Sequence, residues 1–115
     1  GAVNYDPKDD YPDKIFPVAE AVARDRESMG IILGGSGQGE AMAANRIKGV
    51  RAAVYYDGPD EIVQLSRQHN NANVLSLGAR FIETDRALQV IDIWLKEPFA
   101  GGRHQNRIAK LDRSI

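Results

Sequence analysis

Apolar residues alternate along this chain between two spacings. In some stretches they recur every three or four positions, and in others they form short unbroken runs. Ile15, Val18, Ala19 and Val22 stand at i, i+3, i+4 and i+7, which predicts a helix with one apolar stripe. Asp13 suits its N-cap, Pro17 falls in its first turn, and Gly30 stops it. Gly30-Ile31-Ile32-Leu33 is a continuous apolar run, as expected of a strand buried on both faces of a parallel sheet. A glycine loop follows, and then residues 40–45, which favour helix. The pattern then repeats. Residues 50–55 read as a strand, Asp57-Gly58-Pro59 as a turn that opens a helix, and Ile62, Leu65 and His69 as one face of that helix. Residues 73–78 read as a third strand. Thr84 suits the cap of a helix faced by Leu88, Ile91 and Leu95 and ended by Pro98. A last helix follows Gly101-Gly102 and turns Ile108 and Leu111 inward. Strands alternating with helices at this spacing predict βαβ units on a parallel sheet, hence an α/β domain.

Composition narrows the functions open to such a domain. With 115 residues, 43% of them hydrophobic, the chain can build one domain around one modest core. It has no cysteine, which excludes a disulfide framework, a cysteine–zinc site and a thiol nucleophile. Fifteen basic residues against 16 acidic ones leave a net charge of -1, without the basic excess of a nucleic-acid binder. No apolar run approaches the roughly 20 residues that cross a bilayer. No basic segment followed by an apolar core stands at the start. These features describe a soluble, cytoplasmic domain with neither nucleic-acid nor membrane partners. Charge is mildly polarised, with a net of -3 over residues 1–30 and +3 over residues 101–115.

In an open parallel sheet ligands bind beyond the carboxyl ends of the strands. Three segments with chemical potential are expected at or beside those ends. The first is residues 34–39, with four glycines in six positions. Such a loop lets the backbone turn sharply and lets a ligand reach main-chain N–H groups. Its G-x-G-x-G spacing is neither the dinucleotide fingerprint nor a P-loop. It is either a tight strand–helix connection or an anion site. Glu40 is either a carboxylate favoured by the start of a helix or a general base beside that loop. The second segment is His69-Asn70-Asn71-Ala72-Asn73, where His69 is a helix cap or a proton carrier. It leads to Arg80, a surface charge or an anion clamp. The third contains Arg103 and Arg107, four apart and so stacked on one helical face. Two guanidinium forks in that arrangement suit a phosphate, and they equally suit a solvated basic helix.

Taken in order, the segments GIILGGSGQGEAMAANRIKGVRAA, RQHNNANVLSLGARFI and WLKEPFAGGRHQNRI, with DYPD at residues 10–13, closely resemble the ribose-5-phosphate isomerase B family, which includes galactose-6-phosphate isomerase subunits. The likeness covers nearly the whole chain. It implies a three-layer, Rossmann-like parallel sheet flanked by helices. It also implies interconversion of an aldose phosphate and a ketose phosphate, typically ribose 5-phosphate and ribulose 5-phosphate, without metal or organic cofactor. The route is ring opening, proton abstraction beside the carbonyl, and reprotonation of an enediolate at the neighbouring carbon. One version of the family carries a cysteine where this chain has Gly34, and the other uses a glutamate at the position of Glu40; the chain resembles the second. By the same match Ser36 and the amides of Gly35, Gly37 and Gly39 would stabilise the enediolate. His69 would assist ring opening, Asn70 and Tyr11 would bind the sugar, and Arg80, Arg103 and Arg107 would hold the phosphate. The partners implied are a small phosphosugar and a second copy of the chain, in a homodimer or homotetramer with a shared active site.

In one respect the chain departs from the family pattern. Family members begin with a strand ending in Asp-His, then a helix and a second strand, and no counterpart stands here. A βαβ unit takes roughly 30 residues. Residues 1–115 are therefore expected to be a single, N-terminally incomplete isomerase domain. Absence of a strand from the centre of the sheet predicts open edges and exposed apolar surface. Loss of that Asp and His leaves a second reading, a non-catalytic phosphosugar-binding or assembly subunit. A flavodoxin-like nucleotide module is a third, resting on the glycine loop alone.

Overall fold

The computed structural model describes residues 4–112. Its elements are α1 (Pro12–Arg24), β1 (Gly30–Gly34), α2 (Gln38–Ala44), β2 (Ala52–Tyr55), α3 (Glu61–Asn70), β3 (Val74–Gly78), α4 (Thr84–Lys96) and α5 (Arg103–Ala109). The three strands form one parallel sheet in the order β1-β3-β2. Among the described residues no helix is long and apolar enough to cross a membrane. Arg113, counted in the basic end of the chain, lies outside the described residues.

β3 is central and buried along its whole length. Its side chains alternate between two cores, as the pleat of a strand requires. Val74 joins Ile15, Ala19, Val22, Ile32, Ala43 and Ala44 on the face covered by α1 and α2. Leu75 and Leu77 join Tyr55, Val63, Val90 and Trp94 on the face covered by α3 and α4. The result is a three-layer, doubly wound α/β fold of the Rossmann-like class.

Several details differ from the sequence reading. α1 starts at Pro12 with Tyr11 as its N-cap, so Asp13 lies inside the first turn. Pro17 stands in the body of α1 on its exposed side, where solvent can satisfy the carbonyl left without an N–H partner. The helix ends at Arg24, before Gly30. α4 is preceded by Glu83 at its N-cap, so Thr84 is its first residue. β1 is not buried on both faces, because Leu33 is 60% exposed and the outer edge of the strand pairs with no other among the described residues.

The largest differences concern which face of α3 and α4 is buried. α3 buries Val63 and Ser66, leaving Ile62 and His69 exposed. α4 buries Val90 and Trp94, leaving Leu88 and Leu95 exposed. Ser66 can be buried because its hydroxyl donates to the Val63 carbonyl (2.7 Å) and accepts from Trp94 Nε1 (3.2 Å). Inside the core that pair satisfies two polar groups at once, so the alternative stripe of larger aliphatic residues is not needed there. Likewise α5 buries no side chain; Leu111 lies beyond it and is exposed.

Candidate active site

The glycine loop leaves β1 at the carboxyl edge of the sheet and is pinned to β3. Gly37 adopts φ 76°, a left-handed conformation that glycine takes without strain. A Cβ there would also stand 3.0 Å from the Leu77 carbonyl group. The Gly37 carbonyl accepts from the fully buried Ser76 hydroxyl (2.6 Å) and from the amide of Ala41 (3.1 Å). Gly34 and Gly35 carbonyls accept from the amides of Ala79 (2.8 Å) and Arg80 (3.0 Å). Ser36 Oγ accepts from the Gln38 amide at 3.2 Å. The loop is thus fixed from both sides by backbone and core hydrogen bonds.

Three side chains converge on it. Glu40, in the first turn of α2, folds back so that a Cβ added at Gly34 would fall within its carboxyl group. Only glycine at position 34 leaves room for that carboxylate at the end of β1. The Arg80 guanidinium lies over Gly35, with Nη2 3.1 Å from where a Cβ would be. The Tyr11 phenol lies over Gly39, its hydroxyl 2.6 Å from the corresponding point. Beside them Tyr56, just beyond β2, rests its ring against Phe81, centroids 5.4 Å apart. Glu40, Ser36, Tyr11, Arg80 and Gly35, Gly37 and Gly39 therefore form one cluster.

The remaining expected residues lie elsewhere. His69 and Asn70 end α3, which runs back to the amino edge of the sheet before β3 starts at Val74. Arg103 and Arg107 are on α5, after α4 has returned to that same edge and packed beside α3. This corrects the expectation that all three segments stand near the carboxyl ends. A five-residue β3 puts the two edges about 13 Å apart. The amino-edge cluster also contains a residue the sequence reading passed over. His104 stacks on His69, ring centroids 4.4 Å apart and planes 15° from parallel. Its imidazole is held below the ordinary value of 6.5, by partial burial first and then by the charges of His69, Arg103 and Arg107. Its position between two arginines already singled out was a signal; contact with His69, 35 positions away in the chain, was not visible.

Polar contacts brace this second cluster. The Ala100 amide donates to the Gln68 carbonyl (3.0 Å), Arg67 Nε donates to the Glu97 carbonyl (3.0 Å), and Gln68 Nε2 donates to the Glu97 carboxylate. Asn70 borders a cavity of about 390 Å³, with Arg51, Asn45 and Asp112 in its lining. Arg51 is lowered from its usual value by burial, an effect opposed by Asp112. Among the described residues no group of three His, Asp or Glu converges to hold a metal ion.

The fold and loop define a doubly wound α/β domain, a class whose ligands sit at the carboxyl ends of the strands. Residues 1–111 match the ribose/galactose isomerase family, and the chain belongs to it. It is similar to ribose-5-phosphate isomerase B of Mycoplasma genitalium, whose crystal structure holds ribulose 5-phosphate. The identity is 44% and the TM-score 0.90, over 98% of this chain and 74% of that one. For ribose-5-phosphate isomerase B of Thermotoga maritima the values are 39% and 0.88, over 97% and 75%. The enzyme of the same name in Mycolicibacterium paratuberculosis is 41% identical over 94% of this chain and 67% of its own length. The chain thus spans roughly two-thirds to three-quarters of these relatives.

Proposed function

We propose that this protein is an aldose–ketose isomerase that interconverts ribose 5-phosphate and ribulose 5-phosphate, a cytoplasmic step of the pentose phosphate pathway, with Glu40 as its base. The observation that carries this reading is the Glu40 carboxyl folded over Gly34, beside a loop that offers backbone N–H groups and the Ser36 hydroxyl. A sugar carbon lying against that loop can lose its C2 proton to Glu40. The electrons left behind form an enediolate across C1 and C2, and the proton returns at C1 while a hydroxyl proton passes from O2 to O1. A well-placed base contributes roughly 10²–10⁴-fold. Each fixed donor at the developing oxyanion contributes about 3–4 kcal/mol. Tyr11 and Arg80, both over the loop, would meet the sugar and its phosphate.

His69, Asn70, Arg103 and Arg107 enter the same site from a second copy of the chain. What supports this is their place at the opposite edge of the sheet, about 13 Å along β3 from the glycine loop. An isologous dimer in which each amino edge faces the other copy's glycine loop completes two sites at once. His69 then assists ring opening, Asn70 binds the sugar chain, and the two arginines hold the phosphate bidentately.

The test is exchange at C2. Incubated with ribose 5-phosphate in deuterated water, the protein should incorporate deuterium and release ribulose 5-phosphate. Glu40→Gln should lower that rate by 10²–10⁴-fold, on the order expected for a lost base, with binding kept. Binding without exchange in the unaltered protein would favour a phosphosugar-binding subunit instead. Exchange at an undiminished rate in Glu40→Gln would remove Glu40 from the role.

A further inference from the structure

α5 is weakly held for a helix that carries two phosphate-binding candidates. It has no buried side chain. It enters through Gly101 and Gly102, at φ 73° and 62°, where an added Cβ would meet no atom within 4 Å. The polar contacts of residues 97–100 tether the connection that precedes it. The His69–His104 stack joins the helix to α3, and beyond its end the Gly49 amide donates to the Asp112 carboxylate (3.0 Å).

We propose that His104 is the positioning residue for His69 and for the arginine face of α5: a neutral imidazole whose ring face holds the His69 ring and thereby fixes Arg103 and Arg107 in register with it. The proposal rests on the roles given above to His69 and the two arginines. Among the described residues, the charged or titratable groups that act on His104 are His69 from α3 and Arg103 and Arg107 from its own helix. Glu97, in the connecting segment, has its carboxylate engaged by Gln68. Two imidazolium rings 4.4 Å apart beside two guanidinium groups would repel one another, so the stack requires one neutral ring. Burial and its cationic neighbours disfavour the charged form of His104. His104 therefore serves as the neutral platform on which the His69 ring rests.

The chain has only two histidines, so its imidazole Cε1–H signals are assigned by one substitution. Proton NMR across pH 5–8, with kinetics on the same samples, tests the proposal. The His104 signal should titrate below 6.5, and the His69 signal should show the upfield displacement of a stacked ring. His104→Phe should keep that displacement and a kcat within about threefold of the unaltered protein, since a phenyl face stacks equally well. His104→Leu, similar in bulk without a planar face, should lose the displacement and about tenfold in kcat, the scale of a misplaced catalytic group. A His69 signal that does not move in His104→Leu would overturn the stack. A His104→Phe protein that keeps the displacement yet is as slow as His104→Leu would overturn the positioning role. If the unaltered protein shows no turnover, the isomerase reading fails, and the NMR titration still decides whether the rings stack.

Discussion

The two edges of this sheet carry candidate clusters built in opposite ways. At the carboxyl edge, the glycine loop is fixed by the buried Ser76 hydroxyl, by amides from the end of β3, and by the packing of α2 on all three strands. Its catalytic candidates inherit the rigidity of the core. At the amino edge, the candidates sit on the last turn of α3 and on a seven-residue helix with nothing buried, held by ring stacking and polar contacts along the surface. Chemistry that needs a base within a fraction of an ångström belongs on the first kind of support. Recognition of a phosphate, by long guanidinium side chains, tolerates the second. On the proposed roles, proton transfer falls to the rigid edge and substrate capture to the adaptable one.

Substitutions that act on one edge alone sharpen this comparison. After Glu40→Gln itself, the largest effect is expected from Gly34→Ala. The new Cβ collides with the Glu40 carboxyl and displaces it, so kcat should fall about 10²-fold while the unfolding midpoint changes little. Steady-state kinetics and a thermal melt on one preparation check both halves. Next come Arg103→Ala and Arg107→Ala, which remove binding energy common to substrate and transition state. Each should raise KM about tenfold and leave kcat nearly unchanged. A fall in kcat with constant KM would place those arginines at the chemistry and break the division. The smallest effect on rate should come from Ser76→Ala. It leaves the buried Gly37 carbonyl without its strongest donor and should cost about 1–3 kcal/mol in urea unfolding, with a loss of a few-fold in kcat.

The contrast also explains what the sequence made legible. Strands and loops were readable because they are punctuated: β1 and β3 are short apolar runs between glycines or asparagines, and four glycines mark the turn into α2. The carboxyl-edge cluster could be anticipated because it is local, with Glu40 six positions from Gly34. The buried faces of α3 and α4 were misread because each helix carries two apolar stripes. Periodicity favoured the larger aliphatic one, while the core chose Val63 with Ser66 and Val90 with Trp94. Ser66 looks polar in sequence and is buried only because Trp94 reaches it, a contact between helices. For the amino-edge cluster, sequence motifs single out His69, Asn70, Arg103 and Arg107 but not their place in space. His69 precedes a strand, where the chain is still at the amino edge, and that order was the available sign. His104 became visible only through its stack.

A site completed by two copies of one chain can be tested by mixing two defective ones. Glu40→Gln disables the carboxyl edge and leaves the amino edge intact, whereas the double substitution Arg103→Ala with Arg107→Ala does the reverse. Each homodimer alone should be nearly inactive at low substrate. After co-refolding at equal concentration, half of the dimers are mixed, and each mixed dimer has one intact site. The account predicts recovery of about a quarter of the unaltered rate. Activity that stays at the sum of the two parents, with mixed dimers demonstrably formed, would contradict it.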